Sequence, residues 1–77
     1  MSLNDNWELY RTFYTVAKCN SFSQAADELF ITQPSISRAM ANLENNLNTK
    51  LFYRNSNGIK LTPDGVELFE YVDKICY

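Results

Sequence analysis

The chain has 77 residues, 45% hydrophobic and 21% charged, so it can build one modest core, which excludes separate cofactor and substrate domains. It contains no histidine and so lacks the commonest general base and metal ligand, and we expect neither an enzyme nor a protein that holds a metal or cofactor. No apolar run approaches the roughly 20 residues that cross a bilayer, so we expect no membrane partner and a cytoplasmic location, while the net charge of −2 disfavours polyanion binding unless the cations cluster.

The first predicted element is a helix from Asn6 to about Cys19. Its apolar residues recur at helical spacing and form one buried stripe, which consists of Leu9, Phe13, Val16 and Ala17. Cys19 and Cys76 lie far apart and match no CxxC metal or redox spacing. We therefore interpret both cysteines as reduced, structural thiols.

A second, short helix follows the break at Asn20-Ser21. Ser23 is a suitable N-cap for it, and Ala25, Ala26 and Leu29 supply a narrow apolar face. Small residues on that face allow another helix to approach closely. Phe30-Ile31 then closes a tight turn.

The third predicted helix occupies about residues 32–47. Thr32 is its expected N-cap, and Pro34 suits the first turn, where a missing N–H costs little. At 100 degrees per residue, Met40, Leu43 and Leu47 fall within about 40 degrees of Ile36 and define the expected core stripe. The opposite half carries Ser35, Arg38, Ala41, Asn42 and Asn45. Asn48 tolerates the left-handed conformation that ends a helix.

A β-hairpin is predicted over residues 51–61. Leu51 to Arg54 and Ile59 to Leu61 are short apolar-containing runs around Asn55-Ser56-Asn57-Gly58. Asn-Gly is a strong hairpin signal, because both residues accept positive φ. We expect a small two-stranded wing.

A fourth helix should begin at Thr62-Pro63, which repeats the start signal of the third. Its apolar stripe is broad and consists of Leu68, Phe69, Val72, Ile75 and Cys76. We expect a second copy of the chain to cover this stripe, so that the chain is a homodimer. The alternative is that the helix packs back on its own first helix. Because the pattern still runs at Tyr77, we expect residues 1–62 to form one domain and residues 63–77 to begin a longer linker helix.

These elements together predict a mainly α winged helix-turn-helix, with a three-helix core and a two-stranded wing. The third helix would lie in the major groove of DNA, where small or hydrogen-bonding side chains reach base edges; the candidates are Gln33, Ser35, Ser37, Arg38 and Asn42. Arg54 and Lys60 on the wing would lie over phosphates or in the minor groove. The alternative is that these are ordinary solvated residues, since any three-helix domain has a polar outer face.

The charge distribution favours a nucleic-acid partner. Residues 32–62 carry four basic residues against Glu44 alone, a net charge of +3. Residues 1–31 carry −2 and residues 63–77 carry −3. The positive charge is thus confined to the proposed recognition helix and wing, as DNA binding requires.

The run SFSQAADELFITQPSISRAMANLENNL, followed by LFYR and IKLTPDG, resembles the N-terminal DNA-binding domain of LysR-type bacterial transcriptional regulators. The resemblance implies a winged helix-turn-helix that dimerises through the helix after the wing and binds a small-molecule effector only through a C-terminal domain missing here. It also implies site residues. Thr32, Gln33, Pro34, Ser35, Ser37 and Arg38 correspond to the part of the recognition helix that meets DNA, Arg54 lies on the wing, and Ser23 and Gln24 contact backbone phosphates.

The sequence departs from the family pattern at Asn42, at Asn45-Asn46 and at Asn48, where glycine is usual, and its wing lacks extra arginines. The alternative function is a winged-helix module for protein interaction or dimerisation without DNA binding, which would need an exposed apolar patch on the third helix.

Overall fold

Capping and turn residues divide the chain into four helices and one hairpin. The computed structural model describes the backbone of residues 6–55 and 58–76 and the side chains of residues 7–55 and 58–75. In chain order the elements are α1 (Asn6–Cys19), α2 (Phe22–Leu29), α3 (Gln33–Leu47), β1 (Phe52–Asn55), β2 (Gly58–Leu61) and α4 (Pro63–Cys76). The predicted order of elements is therefore confirmed.

Hydroxyl side chains start three of the helices. Thr32 Oγ1 accepts a hydrogen bond from the Ser35 backbone N–H at 3.3 Å, and Thr62 Oγ1 accepts one from the Gly65 N–H at 3.0 Å, as predicted. The predicted cap of α2 was wrong. Ser21, not Ser23, is the N-cap, and its Oγ accepts from the Gln24 N–H at 3.1 Å. Both serines are chemically able to cap, and the helix begins at the earlier one.

The first three helices end in left-handed residues. Asn20, Phe30 and Asn48 have φ values of 55°, 58° and 53°. Asparagine tolerates this conformation, whereas phenylalanine seldom adopts it. The Phe30 N–H bonds to carbonyl groups of α2, and the Ile31 N–H bonds to Ala26 O at 3.1 Å. These bonds close the tight turn between α2 and α3.

One hydrophobic core joins the first three helices to the base of the wing. Its most buried members are Leu9, Phe13, Val16, Ala25, Ala26, Ile36, Ala39, Met40, Leu43, Leu51 and Phe52. The prediction that Leu47 belongs to this core was wrong, because 39% of the residue is exposed. Leu47 lies in the last turn of α3 beside an open cavity that it lines together with Leu51, Leu68 and Tyr71.

The wing is a two-stranded antiparallel sheet. Its register pairs Phe52 with Leu61, and the last pair is Asn55 with Gly58. Gly58 has the predicted positive φ, with a value of 128°. It belongs to the last pair of the ladder, whereas the prediction placed it in the turn. Asn57, the other residue of the predicted turn, lies outside the described residues.

The fourth helix packs on the first. The Phe69 and Tyr14 rings stack with their centroids 5.0 Å apart, and Val72 is only 4% exposed. Packing against the same chain therefore takes up part of the predicted dimerisation stripe. Leu68 is half-buried, Ile75 is 57% exposed, and the side chain of Cys76 lies outside the described residues. Across the described ranges, no helix is long and apolar enough to span a membrane.

Candidate nucleic-acid interface

The start of α3 is built by hydroxyl groups. Thr32 Oγ1 accepts from the Ser35 N–H and also donates to Ser35 Oγ at 2.8 Å. Both predicted contact residues are therefore engaged with each other at the helix N-terminus. Their structural role is to hold the first turn of α3, which places the neighbouring Gln33 and Pro34 at the exposed tip.

The outer face of α3 is polar. Gln33, Pro34 and Arg38 are exposed, and Ser37 and Asn42 are half-buried. The apolar side of the same helix, with Ile36, Met40 and Leu43, is buried in the core. The face that is left accessible therefore offers amide, hydroxyl and guanidinium groups, which are the groups that read base edges in the major groove.

A groove runs between the start of α2, the start of α3 and the wing. It brings together four of the predicted site residues, Ser23, Gln33, Ser37 and Arg54. The remaining groove residues are Ser21, Phe22, Asn55, Gly58 and Ile59. Gln24, Arg38, Asn42 and Lys60 lie outside this groove. These four predicted residues therefore lie in three places: Gln24 on α2, Arg38 and Asn42 along the outer face of α3, and Lys60 on the wing.

Arg54 is held over the start of α2 by aromatic contacts. Its guanidinium carbon lies 4.8 Å from the centre of the Phe22 ring, a cation–π distance. Phe22 in turn meets Phe52 edge-on at 5.7 Å, and Phe52 contacts Phe13 of α1 at 5.5 Å. A continuous series of rings thus connects the wing cation to the core. This cation therefore lies beside the N-terminus of α2, and a helix N-terminus with a neighbouring cation is suited to a phosphate.

The two wing cations lie on opposite faces of the hairpin. Arg54 pairs with Ile59, and Lys60 pairs with Tyr53. Paired residues of an antiparallel ladder share a face, and adjacent pairs alternate between faces. Arg54 and Ile59 line the groove and share the face of Phe52 and Leu61, which pack on the core. Lys60 is therefore on the face that points away from the groove, a distinction that the sequence-based prediction missed.

Glu44 is a residue of the site region whose role the sequence analysis missed. Its side chain is buried, and Oε2 accepts from the backbone N–H groups of Leu51 at 2.7 Å and Phe52 at 3.3 Å. Lys50 Nζ is 4.0 Å from the other carboxylate oxygen. The acidic residue of segment 32–62 is thus turned inward and ties α3 to the wing. The position of Glu44 in the helix, on the flank of the core stripe, could have indicated that its side chain is buried.

The described residues offer little for redox or metal chemistry. Burial raises the pKa of the Cys19 thiol above its ordinary value, and the neighbouring Glu28 carboxylate raises that pKa further. The thiol is therefore protonated at neutral pH and is a poor nucleophile. Within the described part of the chain, no three His, Cys, Asp or Glu side chains are grouped so that they could hold a metal ion.

Comparison with known proteins gives a consistent result. Residues 7–66 match the family model described as "Bacterial regulatory helix-turn-helix protein, lysR family". The chain is 44% identical over 72 residues to the HTH-type transcriptional regulator GltR of Bacillus subtilis (strain 168), a match that covers 94% of this chain and 24% of GltR. It is 40% identical over 68 residues to the HTH-type transcriptional regulator HdfR of Yersinia enterocolitica, covering 88% of this chain and 23% of HdfR. The chain thus spans about a quarter of the length of these relatives.

A solved structure shares the whole fold. The BenM_DBD/catB site 1 DNA complex superposes on this chain with a TM-score of 0.85 and 39% sequence identity. The superposition covers 97% of this chain and 80% of the BenM chain. The similarity therefore extends over the helices, the wing and the start of α4 together.

Proposed function

This chain belongs to the LysR family of bacterial regulatory helix-turn-helix proteins, and from that membership we propose that it binds double-stranded DNA with sequence preference as the DNA-reading part of a transcriptional regulator. The observation that carries the proposal is the groove in which Ser23, Gln33, Ser37 and Arg54 converge beside the exposed tip of α3. The similarity to a DNA-bound BenM domain supports the same assignment.

In the proposed complex, the N-terminal half of α3 enters the major groove. Gln33 and Arg38 are exposed there and have the side-chain groups that bond bidentately to adenine and guanine. Ser37 and Asn42 flank them and supply shorter polar contacts. These residues would provide the base preference, because only contacts to base edges carry sequence information.

Backbone phosphates would be bound beside α3. Ser23 and Arg54 line the groove and would hold a phosphate there at the N-terminus of α2, where the Gln24 N–H is already bonded to Ser21 Oγ. Gln24 is exposed one residue further along the same turn. The wing, residues 51–61, would lie along the backbone and the minor groove, with Lys60 contacting a phosphate from the outer face of the hairpin. Such contacts fix the register of the protein on the duplex.

The functional unit would be a homodimer within a longer regulator. Residues 1–62 form the DNA-binding unit, and residues 63–77 begin the helix that pairs with a second copy. An effector-binding domain would follow in the whole protein, as the quarter-length match to the relatives suggests. The protein would be cytoplasmic and would catalyse no reaction. The alternative, an interaction module without DNA binding, is less well supported, because the exposed face of α3 is polar where that function needs an apolar patch.

The test is fluorescence anisotropy with a random pool of labelled duplexes at low and physiological salt, followed by selection of a preferred site. Binding should weaken as salt rises, because phosphate neutralisation releases counterions. Arg38→Ala should weaken binding to the selected site by about 1–3 kcal/mol and relax base preference at one position, if Arg38 reads a base.

Arg11→Ala is the matched control. It removes the same charge from an exposed arginine on α1, whose nearest acidic partner, Glu8, is 3.9 Å away. This variant should bind like the wild type. Equal affinity and equal base preference in the Arg38 and Arg11 variants would contradict the role of Arg38, and an absence of binding by the wild type at low salt would contradict the proposed function.

A further inference from the structure

The start of α4 is firmly attached to the base of the wing. The Thr62 N–H donates to Leu51 O at 3.0 Å, and the Thr62 hydroxyl donates to Lys50 O at 2.7 Å. Gly65 lies so close to this strand that an added Cβ would be 2.3 Å from Leu51 O. These contacts fix the position of the helix N-terminus. Taken alone, they leave α4 able to tilt about that end.

A second attachment lies at Asp73, nine residues after Asp64 in the first turn of the same helix. The Tyr14 hydroxyl of α1 donates to the Asp73 carboxylate at 2.6 Å, between residues 59 positions apart in the chain. The Tyr14 and Phe69 rings stack at 5.0 Å with planes only 7° apart, and Lys18 Nζ lies 5.4 Å from the centre of the Tyr14 ring. Tyr14 is buried, whereas Asp73 is exposed. The hydrogen bond therefore fastens the outer half of α4 to α1.

We propose that the hydrogen bond from Tyr14 to Asp73 positions α4 relative to the DNA-binding unit and thereby sets the half-site spacing that the dimer accepts. The inference rests on the proposed function. In a dimer joined through α4, the direction of this helix determines the separation of the two α3 helices, and half-site spacing follows that separation. Tyr14 and Asp73 are thus positioning residues and have no contact with DNA in this scheme.

The length of α4 is sufficient for a small tilt to change the half-site spacing measurably. From Asp64 to Asp73 the helix rises about 13 Å, at 1.5 Å per residue. A tilt of about 15° about the fixed end displaces Asp73 by about 3.5 Å, which is close to the 3.4 Å rise of one base pair along a strand. The Phe69 ring stack and the buried Val72 still hold α4 on α1 without this hydrogen bond, so its release would widen the accepted spacing by about one base pair.

The experiment compares half-site spacings. Sites are first selected from random duplexes with the wild-type chain, and affinities are then measured for the selected spacing and for spacings changed by one and two base pairs. We expect the wild type to prefer its own spacing by roughly a hundredfold, because avidity is lost when geometry prevents both copies from binding. In Tyr14→Phe, which keeps the ring stack, we expect this preference to fall to about tenfold or less.

Two variants of the acceptor separate positioning from a general structural effect. Asp73→Ala should lose spacing preference as Tyr14→Phe does, whereas Asp73→Asn keeps an oxygen acceptor for the Tyr14 hydroxyl and should retain most of it. Glu70→Ala removes another exposed carboxylate from α4 and should behave as wild type. Urea unfolding monitors stability throughout.

The outcomes are distinguishable. Loss of spacing preference in Tyr14→Phe and Asp73→Ala, with a single half-site bound as tightly as by the wild type, supports the inference. An unchanged preference in both variants overturns the inference and leaves the proposed function intact. A wild-type chain that binds no duplex overturns the proposed function and the inference with it.

Discussion

Phe30 has an unusual backbone conformation for a phenylalanine. It adopts a φ of 58° at the end of α2, and 93% of it is exposed to solvent. A left-handed conformation costs a non-glycine residue roughly 1–2 kcal/mol, and the exposed ring gains nothing from burial. The two asparagines that end α1 and α3 occupy the same conformation with less strain. The turn between α2 and α3 is therefore formed by its backbone hydrogen bonds in spite of its side chain.

Phe30→Gly should stabilise the fold by about 1 kcal/mol, because glycine adopts the left-handed conformation without a Cβ clash. The measurement is the free energy of unfolding from urea denaturation. Phe30→Ala is the matched control, since it removes the ring but keeps a Cβ. A glycine variant that is no more stable than the alanine variant would show that the backbone strain contributes nothing.

Glu44 supports a second prediction at this scale. Its carboxylate is buried and accepts two backbone N–H groups of the wing, those of Leu51 and Phe52. Glu44→Ala would leave these donors unsatisfied, and each buried unpaired group costs about 1–3 kcal/mol. We expect a loss of at least about 2 kcal/mol in the free energy of unfolding. Glu44→Gln, which keeps one acceptor oxygen, should lose less.

Glu67 provides the comparison, because it is an exposed glutamate of α4. Glu67→Ala should change stability by no more than about 0.5 kcal/mol, as is usual for surface substitutions. If the two alanine variants were equally stable, the bonds from Leu51 and Phe52 would have no net stabilising effect.

Among the elements, the hairpin places its two cations on opposite faces because side chains alternate along a strand. Arg54 and Lys60 are six positions apart in the sequence, and both are exposed. Their places in the ladder put Arg54 toward the groove and Lys60 on the other face. Only Arg54 is held by an aromatic ring of another element. The wing therefore presents one oriented cation and one solvated cation.

This difference predicts unequal effects on DNA binding. Arg54→Ala should weaken binding to every duplex alike and reduce the slope of log affinity against log salt by about 1, because a phosphate contact is lost. Lys60→Ala removes the same charge from the same hairpin and should change affinity and slope less. Salt titrations of both variants by anisotropy measure this directly. Equal slopes in the two variants would contradict an oriented role for Arg54.

At the scale of the whole molecule, the surface between α1 and α4 is incompletely covered. Trp7, Tyr71 and Ile75 are all partly exposed and line one apolar cleft. Phe69 and Val72 are already packed within the chain, so Tyr71 and Ile75 of α4, together with Trp7 of α1, are the residues of this cleft available to a second copy. The proposed homodimer would bury them, since apolar surface gains free energy when water is removed from it.

Ile75→Glu should therefore weaken dimerisation by at least roughly tenfold, because an unpaired carboxylate would be desolvated in an apolar contact. Sedimentation equilibrium over a range of protein concentrations gives the dimer dissociation constant. Ala41→Glu adds the same charge at an exposed position on α3 and should leave the constant unchanged. A dimer equally strong in both variants would place the interface elsewhere.

The element order, the ends of most helices and the polar character of α3 can all be predicted from the order of the amino acids. These features depend on local chemistry. Thr32 and Thr62 accept hydrogen bonds from N–H groups three residues away, and Asn48 ends α3 by adopting a left-handed backbone conformation. The choice of Ser21 over Ser23 as a cap was missed, since both residues satisfy the same local rule.

The neighbours that each side chain meets follow from the packing of separate elements and could not be predicted in this way. Helical periodicity places Glu44 and Leu47 near the same apolar stripe, yet Glu44 is buried under the wing and Leu47 lies beside an open cavity. Likewise, the bond between Tyr14 and Asp73 joins residues 59 positions apart, and the faces of Arg54 and Lys60 depend on strand register. Periodicity identifies the side of an element that turns inward, but the partner on that side is set by how separate elements pack together.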